Sequence, residues 1–161
     1  MTTSAELQAL LDRMTAAAEA GDSAGFAAAF TEDAVYHDYI YGDHAGRAEI
    51  RHMLDDYFLR DAADYHWTFF DAVCDGETGY AWSLSRFTST VPEFAGRQVV
   101  IDGMSCFRLR GGLIADYRES VNGGVAMAQL GVAPARMEKV FRKWGDWLAA
   151  RPEVQRYLAG S

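Results

Sequence analysis

The sequence predicts an α+β fold: a strongly curved antiparallel sheet wrapped around N-terminal helices, with extra helices at the C-terminal end. Apart from an extended stretch that begins at Phe30, apolar residues recur every three to four positions up to about residue 60, fall in extended runs from about residue 64 to residue 121, and then return to helical spacing. The extended runs are separated by CDGETG, VPEFAG and RGG, whose Gly, Asp and Pro are turn formers. Helices and strands are largely segregated along the chain, which is the α+β arrangement. A sheet bent this strongly leaves a cone with one open end, and its mouth is a natural ligand site.

In order, Thr3 and Glu6 have the spacing of a capping box, and Leu7, Leu10, Leu11 and Met14 mark one face of a helix ending near Gly21. Asp22 or Ser23 can cap a second short helix carrying Phe26 and Phe30 four apart. An extended stretch comes next, FTEDAVYHDYIYGDHAGRAEI, dense in phenols, carboxylates and imidazoles. Gly46 precedes a third helix, Arg47 to Arg60, with Ile50, Met53, Leu54, Tyr57 and Phe58 on one face. The extended runs are Tyr65 to Val73, Tyr80 to Thr90, Gln98 to Arg110 and Leu113 to Val121. After Asn122 the chain turns helical over Val125 to Leu130. Pro134 then suits a first helical turn, ahead of a stripe of Met137, Val140, Phe141, Trp144 and Leu148. Residues 1–124 are expected to form one domain, and residues 125–161 a helical extension packed on that domain or on a partner subunit.

Half of the 161 residues are hydrophobic, enough for an ordinary core, and 13% are aromatic, enough to line a cavity as well. A net charge of -8 repels phosphate backbones and anionic lipids, so neither nucleic acid nor membrane is an expected partner. The N-terminus lacks a basic start followed by an apolar run, and no stretch is long and apolar enough to span a bilayer; a cytoplasmic protein is the default expectation. Cys74 and Cys106 have no ligand-like spacing, and His37, Asp38 and His44 match no metal motif. There is no phosphate-binding glycine loop, nucleophile elbow or Cys–His arrangement, so neither metal nor cofactor is expected.

FTEDAVYHD, then GRAEI opening a helix, then VIDGMSCFRLRGGLIADYRESVN as a closing hairpin resemble the nuclear transport factor 2-like superfamily, in particular its SnoaL-like and ketosteroid isomerase-like enzymes, over roughly Leu7 to Asn122. The superfold hosts isomerases, dehydratases, cyclases, epoxide hydrolases, C–C lyases and non-enzymatic binding proteins. The resemblance implies that Asp38 stands where ketosteroid isomerases keep the carboxylate that abstracts a proton beside a carbonyl. The second acid of that family falls at Met104, two residues past Asp102 and on the same strand face. Compared with limonene epoxide hydrolase, the water-positioning pair falls at Tyr36 and Asp38 and the base near Glu119, but the Arg and second Asp fall at Ser83 and Ser85. His66 is similar in place to one catalytic His of scytalone dehydratase, whose second His has no counterpart between Tyr80 and Thr90.

The catalytic candidates are therefore Asp38 as general base, Tyr36 on the same strand face, His66 as proton relay, and Asp102 or Glu119 as second acid. For Glu119 the alternative is an ion pair with a surface arginine; for His37 and His44 it is a position off the site. Tyr41, Tyr57, Trp67, Phe69 and Met104 are expected to contact a small apolar or aromatic substrate. These expectations describe a cofactor-independent acid-base enzyme, with a pocketed but non-catalytic binding or assembly module as the alternative. Apolar residues on both faces of Tyr80 to Phe87 add the expectation of a homodimer or higher homo-oligomer.

Overall fold

A computed structural model describes residues 1–160. Helix α1 (Ser4–Glu19) opens with the expected capping box: Thr3 Oγ1 accepts the Glu6 N–H at 3.2 Å while the Glu6 carboxylate accepts the Thr3 N–H at 2.7 Å. Its apolar stripe, Leu7, Leu10, Leu11 and Met14, is buried against the sheet. Asp22 caps α2 (Ser23–Ala27) by accepting the Gly25 N–H.

The opening stretch divides into two strands, β1 (Phe30–Asp38) and β2 (Gly42–Ala45), joined by a tight turn at residues 39–41. Gly46, at φ +91°, then starts α3 (Arg47–Met53) with a backbone conformation that disfavours a side chain. Here the expected single helix is interrupted. Leu54–Phe58 forms a π turn, and only one further short turn, α4 (Leu59–Asp61), precedes the sheet. The extra residue in a π turn rotates the side chains after it about the helix axis, and such turns often mark a functional position.

Strands β3 (Ala62–Cys74), β4 (Thr78–Ser89), β5 (Gln98–Arg110) and β6 (Leu113–Val121) complete a six-stranded sheet ordered β2-β1-β6-β5-β4-β3. Pairing is antiparallel except between β1 and β6, which run parallel; the expectation of an antiparallel sheet is corrected at that one seam. Two bulges interrupt β3, with Asp64 (φ +52°) and Asp71 (φ +53°) inside the shifts of register. Bulges bend a strand and increase its twist, and Asp tolerates the left-handed region better than most residues. The sheet can therefore curl around α1, whose Leu7 approaches so closely that a Cβ at Gly79 would lie 2.3 Å from its Cδ2.

Phe26, Phe30, Phe69, Phe107, Ile114, Tyr36 and Tyr117 fill the space between sheet and helices. Each such burial contributes about 1.5–3 kcal/mol from removed apolar area. On the opposite face, Phe70, Trp82 and Met104 lie in register across β3, β4 and β5 and are exposed. Helix α5 (Gly123–Leu130) packs Ala126 against Val99 and Ile101.

The described residues fall into two compact units, Met1–Leu130 and the helical Gly131–Ser161 segment, described through residue 160. The second consists of α6 (Pro134–Ala150) and α7 (Pro152–Leu158). The α6 stripe leaves Phe141 and Leu148 exposed, with Phe141 and Trp144 in ring contact at 5.8 Å. Among the described residues no helix is long and apolar enough to cross a membrane.

Candidate active site

Strands β1 and β6 carry the same short pattern of a tyrosine, an intervening residue and an acid: Tyr36-His37-Asp38 and Tyr117-Arg118-Glu119. Their parallel pairing sets Tyr36 opposite Tyr117 and His37 opposite Arg118. Alternation then turns both tyrosines and both acids to one face. The two phenol rings are fully buried and stack 4.1 Å apart. His37 belongs to the other parity, tied to Asp43 at 2.7 Å and Asp116 at 3.0 Å.

Beside this pair lies a cavity of about 100 Å³. Tyr36, Asp38 and Glu119 line it together with apolar groups from Phe58, Trp67, Phe87, Ile101 and Val121, and with Tyr65, Ser83 and Ser85. Tyr41 and Asp102, both exposed, and Asp61 border it.

Asp38 is only 7% exposed. Its Oδ1 accepts the backbone N–H groups of Ile40 (2.7 Å) and Tyr41 (2.6 Å), an arrangement made by the tight turn after β1. Its other oxygen takes no hydrogen bond among the described residues. Burial pushes the carboxyl up to about 6 against the pull of those two donors. Glu119 Oε2 accepts from the hydroxyls of Tyr117 (3.2 Å) and Tyr36 (3.4 Å), and Oε1 from the Tyr39 N–H (3.4 Å). Burial, and then the neighbouring charge of Asp38, pushes Glu119 up to about 8. Tyr36 and Tyr117 are held well above the usual phenol range by burial and by Glu119, so they serve as neutral donors. Ser105 extends the chain with a 3.0 Å contact to the Tyr117 hydroxyl.

Two carboxyls whose environments separate their acidities can divide acid and base roles. Near pH 7 the pair shares about one proton, leaving Asp38 the ionised member and Glu119 the protonated one. Among the described residues no group of three or more His, Cys, Asp or Glu side chains is arranged to hold a metal ion.

The profile of the SnoaL-like domain matches residues 11–117, from α1 to the tyrosine two places before Glu119. The chain belongs to the SnoaL-like domain family. Among solved structures, the SnoaL-like chain superposes on TsrD from Streptomyces laurentii with a TM-score of 0.71 at 18% identity, covering 83% of this chain and all of that one. A protein of ketosteroid isomerase-like fold from Catenulispora acidiphila, solved with trimethylamine, gives 0.69 at 18% identity, covering 77% and 93%. A candidate polyketide cyclase from Xanthomonas campestris gives 0.66 at 20% identity, covering 80% and 99%. At these identities the likeness shows the fold. Comparison with curated protein sequences returns no match.

Within this SnoaL-like cone, Tyr36, Asp38, Glu119, Tyr41 and Trp67 come together at the cavity. Ser83 and Ser85 also line it, at the positions where the epoxide hydrolase comparison expected Arg and Asp. Other expected positions are corrected. His66 does not line the cavity: its side chain is 54% exposed and its Nδ1 lies 2.8 Å from Glu19 on α1. The bulge at Asp64 sets the phase of β3 so that Tyr65 and Trp67 turn inward and His66 outward. Asp102 and Met104 fall on the exposed parity of β5, opposite to Ile101 and Ser105. Asp102, though exposed, still borders the cavity, whereas Met104, 51% exposed, sits in the outer apolar ladder. Phe69 is a core residue packed on Phe107 and Trp67. Tyr57 supports the site indirectly, stacking on Tyr41 at 4.8 Å, because the π turn gives the cavity-lining place to Phe58. His44 also stays outside the cavity lining; its Nε2 is buried without a hydrogen-bond partner, and burial lowers its pKa.

Sequence reasoning passed over Tyr117 and Tyr65. For Tyr117 a signal existed in the repeated Tyr-x-acid pattern of the two strands. Tyr65 became visible only with the bulge.

Proposed function

We propose that this SnoaL-like protein is a cofactor-independent acid-base enzyme acting on a small, largely apolar cyclic or aromatic molecule. The observation that carries the reading is the buried Asp38 carboxylate, one oxygen of which takes no hydrogen bond from the described residues, lining a mostly apolar cavity beside a Glu119 carboxyl held by two phenols. Asp38 takes a proton from carbon next to a carbonyl, and Glu119 with its tyrosines supplies the hydrogen bond that stabilises the developing oxyanion. Isomerisation, dehydration, aldol-type cyclisation and C–C cleavage all draw on that step.

Proton abstraction is testable without knowing the product. In D₂O, wild type is expected to exchange the α-protons of cyclic and aryl ketones, amine-bearing and amine-free, faster than buffer does, as followed by proton NMR. Binding across the panel with no exchange above buffer would assign the fold here to a non-catalytic binding module. The proposal includes a homo-oligomer, supported by the exposed ladder Phe70, Trp82 and Met104 on the outer face. Sedimentation at micromolar concentration is expected to give more than one subunit; a monomer there removes that part.

A further inference from the structure

We propose that the cavity selects a ligand whose head is a small organic cation, an alkylammonium group, over neutral and anionic groups of the same shape. The inference rests on reading this cavity as the ligand site. Apart from its tyrosines, the ionisable side chains lining it are Asp38, Asp61, Asp102 and Glu119, all acids, with no Lys, Arg or His among the described lining residues. The guanidinium nearest in sequence, Arg60, is committed to Asp61 through two 2.6 Å contacts. Asp38, nine-tenths buried, keeps one oxygen free of any hydrogen bond from the described residues.

The alternatives fare worse in this setting. An anionic head meets the Asp38 charge with no cation beside it. A neutral head leaves that carboxylate buried and unpaired, which is costly. A bare metal ion needs several oxygen ligands at once, whereas most of this wall is carbon. An alkylammonium head satisfies both halves of the site. Its charge faces the Asp38 carboxylate, and its alkyl groups lie against Phe58, Trp67 and Phe87, whose ring faces attract cations.

Three probes of one shape test this: tetramethylammonium, tert-butyl alcohol and pivalate, titrated into the full-length protein by calorimetry. Tetramethylammonium is expected to bind about tenfold or more tighter than tert-butyl alcohol, and pivalate not measurably. Asp38→Asn is expected to weaken the cation by about tenfold while leaving tert-butyl alcohol within about twofold. Equal affinity for the cation and the alcohol, tighter pivalate binding, or cation affinity indifferent to Asp38→Asn overturns the proposal. If a variant fails to fold by circular dichroism, the three wild-type affinities decide alone. Cation selectivity without α-proton exchange leaves this inference standing and sinks the enzyme reading, and exchange with no preference for the cation does the reverse. Binding of none of the three overturns this inference together with the cavity as ligand site.

Discussion

Asp38→Asn is expected to slow α-proton exchange by about 10²–10⁴-fold, the usual contribution of a positioned general base. The substitution is nearly isosteric, and the amide oxygen can still accept the Ile40 and Tyr41 N–H groups that hold Asp38 Oδ1. The turn after β1 and the cavity walls are thus retained, and the loss falls on basicity. Exchange rates measured beside circular dichroism and a melting curve separate the two effects. A variant that folds normally and exchanges within about tenfold of wild type excludes Asp38 as the base.

Glu119→Gln is expected to trade activity for stability, and the trade should depend on pH. Both carboxyls keep protons in the folded protein that the unfolded chain releases in the ordinary carboxylate range, about pH 4. Between there and about pH 8 the folded state binds more protons, so stability is highest on the acid side. It declines as pH rises through about 6, where Asp38 ionises, and about 8, where Glu119 does. Each unit of raised pKa corresponds to about 1.4 kcal/mol, so ionising Glu119 removes a few kcal/mol of stability. Glutamine cannot ionise and keeps an oxygen for Tyr36 and Tyr117. Its melting temperature should match wild type near pH 5 and exceed it by several degrees above pH 8, while exchange slows at pH 7. Equal melting temperatures at both pH values would mean that Glu119 is not carrying a proton held by burial.

Most of the fold was legible because its signals are local. The capping box at Thr3 and Glu6, the α1 stripe, and the bounds of β5 and β6 come from short-range spacing, and each appears where the sequence puts it. Asp38 was singled out differently, through the family resemblance and its aromatic neighbours, and the structure sets it at the end of β1 on the cavity wall. Parity was less legible wherever the count slips. One bulge residue at Asp64 exchanges the faces of Tyr65 and His66, and one π turn does the same service for Phe58 and Tyr57. Neither insertion is written in composition or periodicity. Met104 failed differently: it shares a face with Asp102, as expected, but alternation from the buried Val99 and Ile101 makes that face the outer one, and of the two only Asp102 borders the cavity. Glu119 could be read as a surface ion-pair partner until β6 was set beside β1, since an acid in a strand flanked by arginines looks solvated in one dimension.

The parallel seam also governs when the site comes into being. Tyr36 and Glu119 stand 83 positions apart, so their hydrogen bond is a contact of long sequence separation in a sheet otherwise built largely from neighbouring hairpins. Such pairings are slow to form because the chain must close the intervening loop before gaining the contact. A ribosome-bound chain that has emerged only as far as the β5–β6 turn can pair β3, β4 and β5, but it lacks the strand carrying Tyr117 and Glu119. Until β6 is present Asp38 lacks both the Tyr117 ring that stacks on Tyr36 and its partner acid. The pairing of β6 with β1 and β5 is therefore also the step that completes the carboxyl pair.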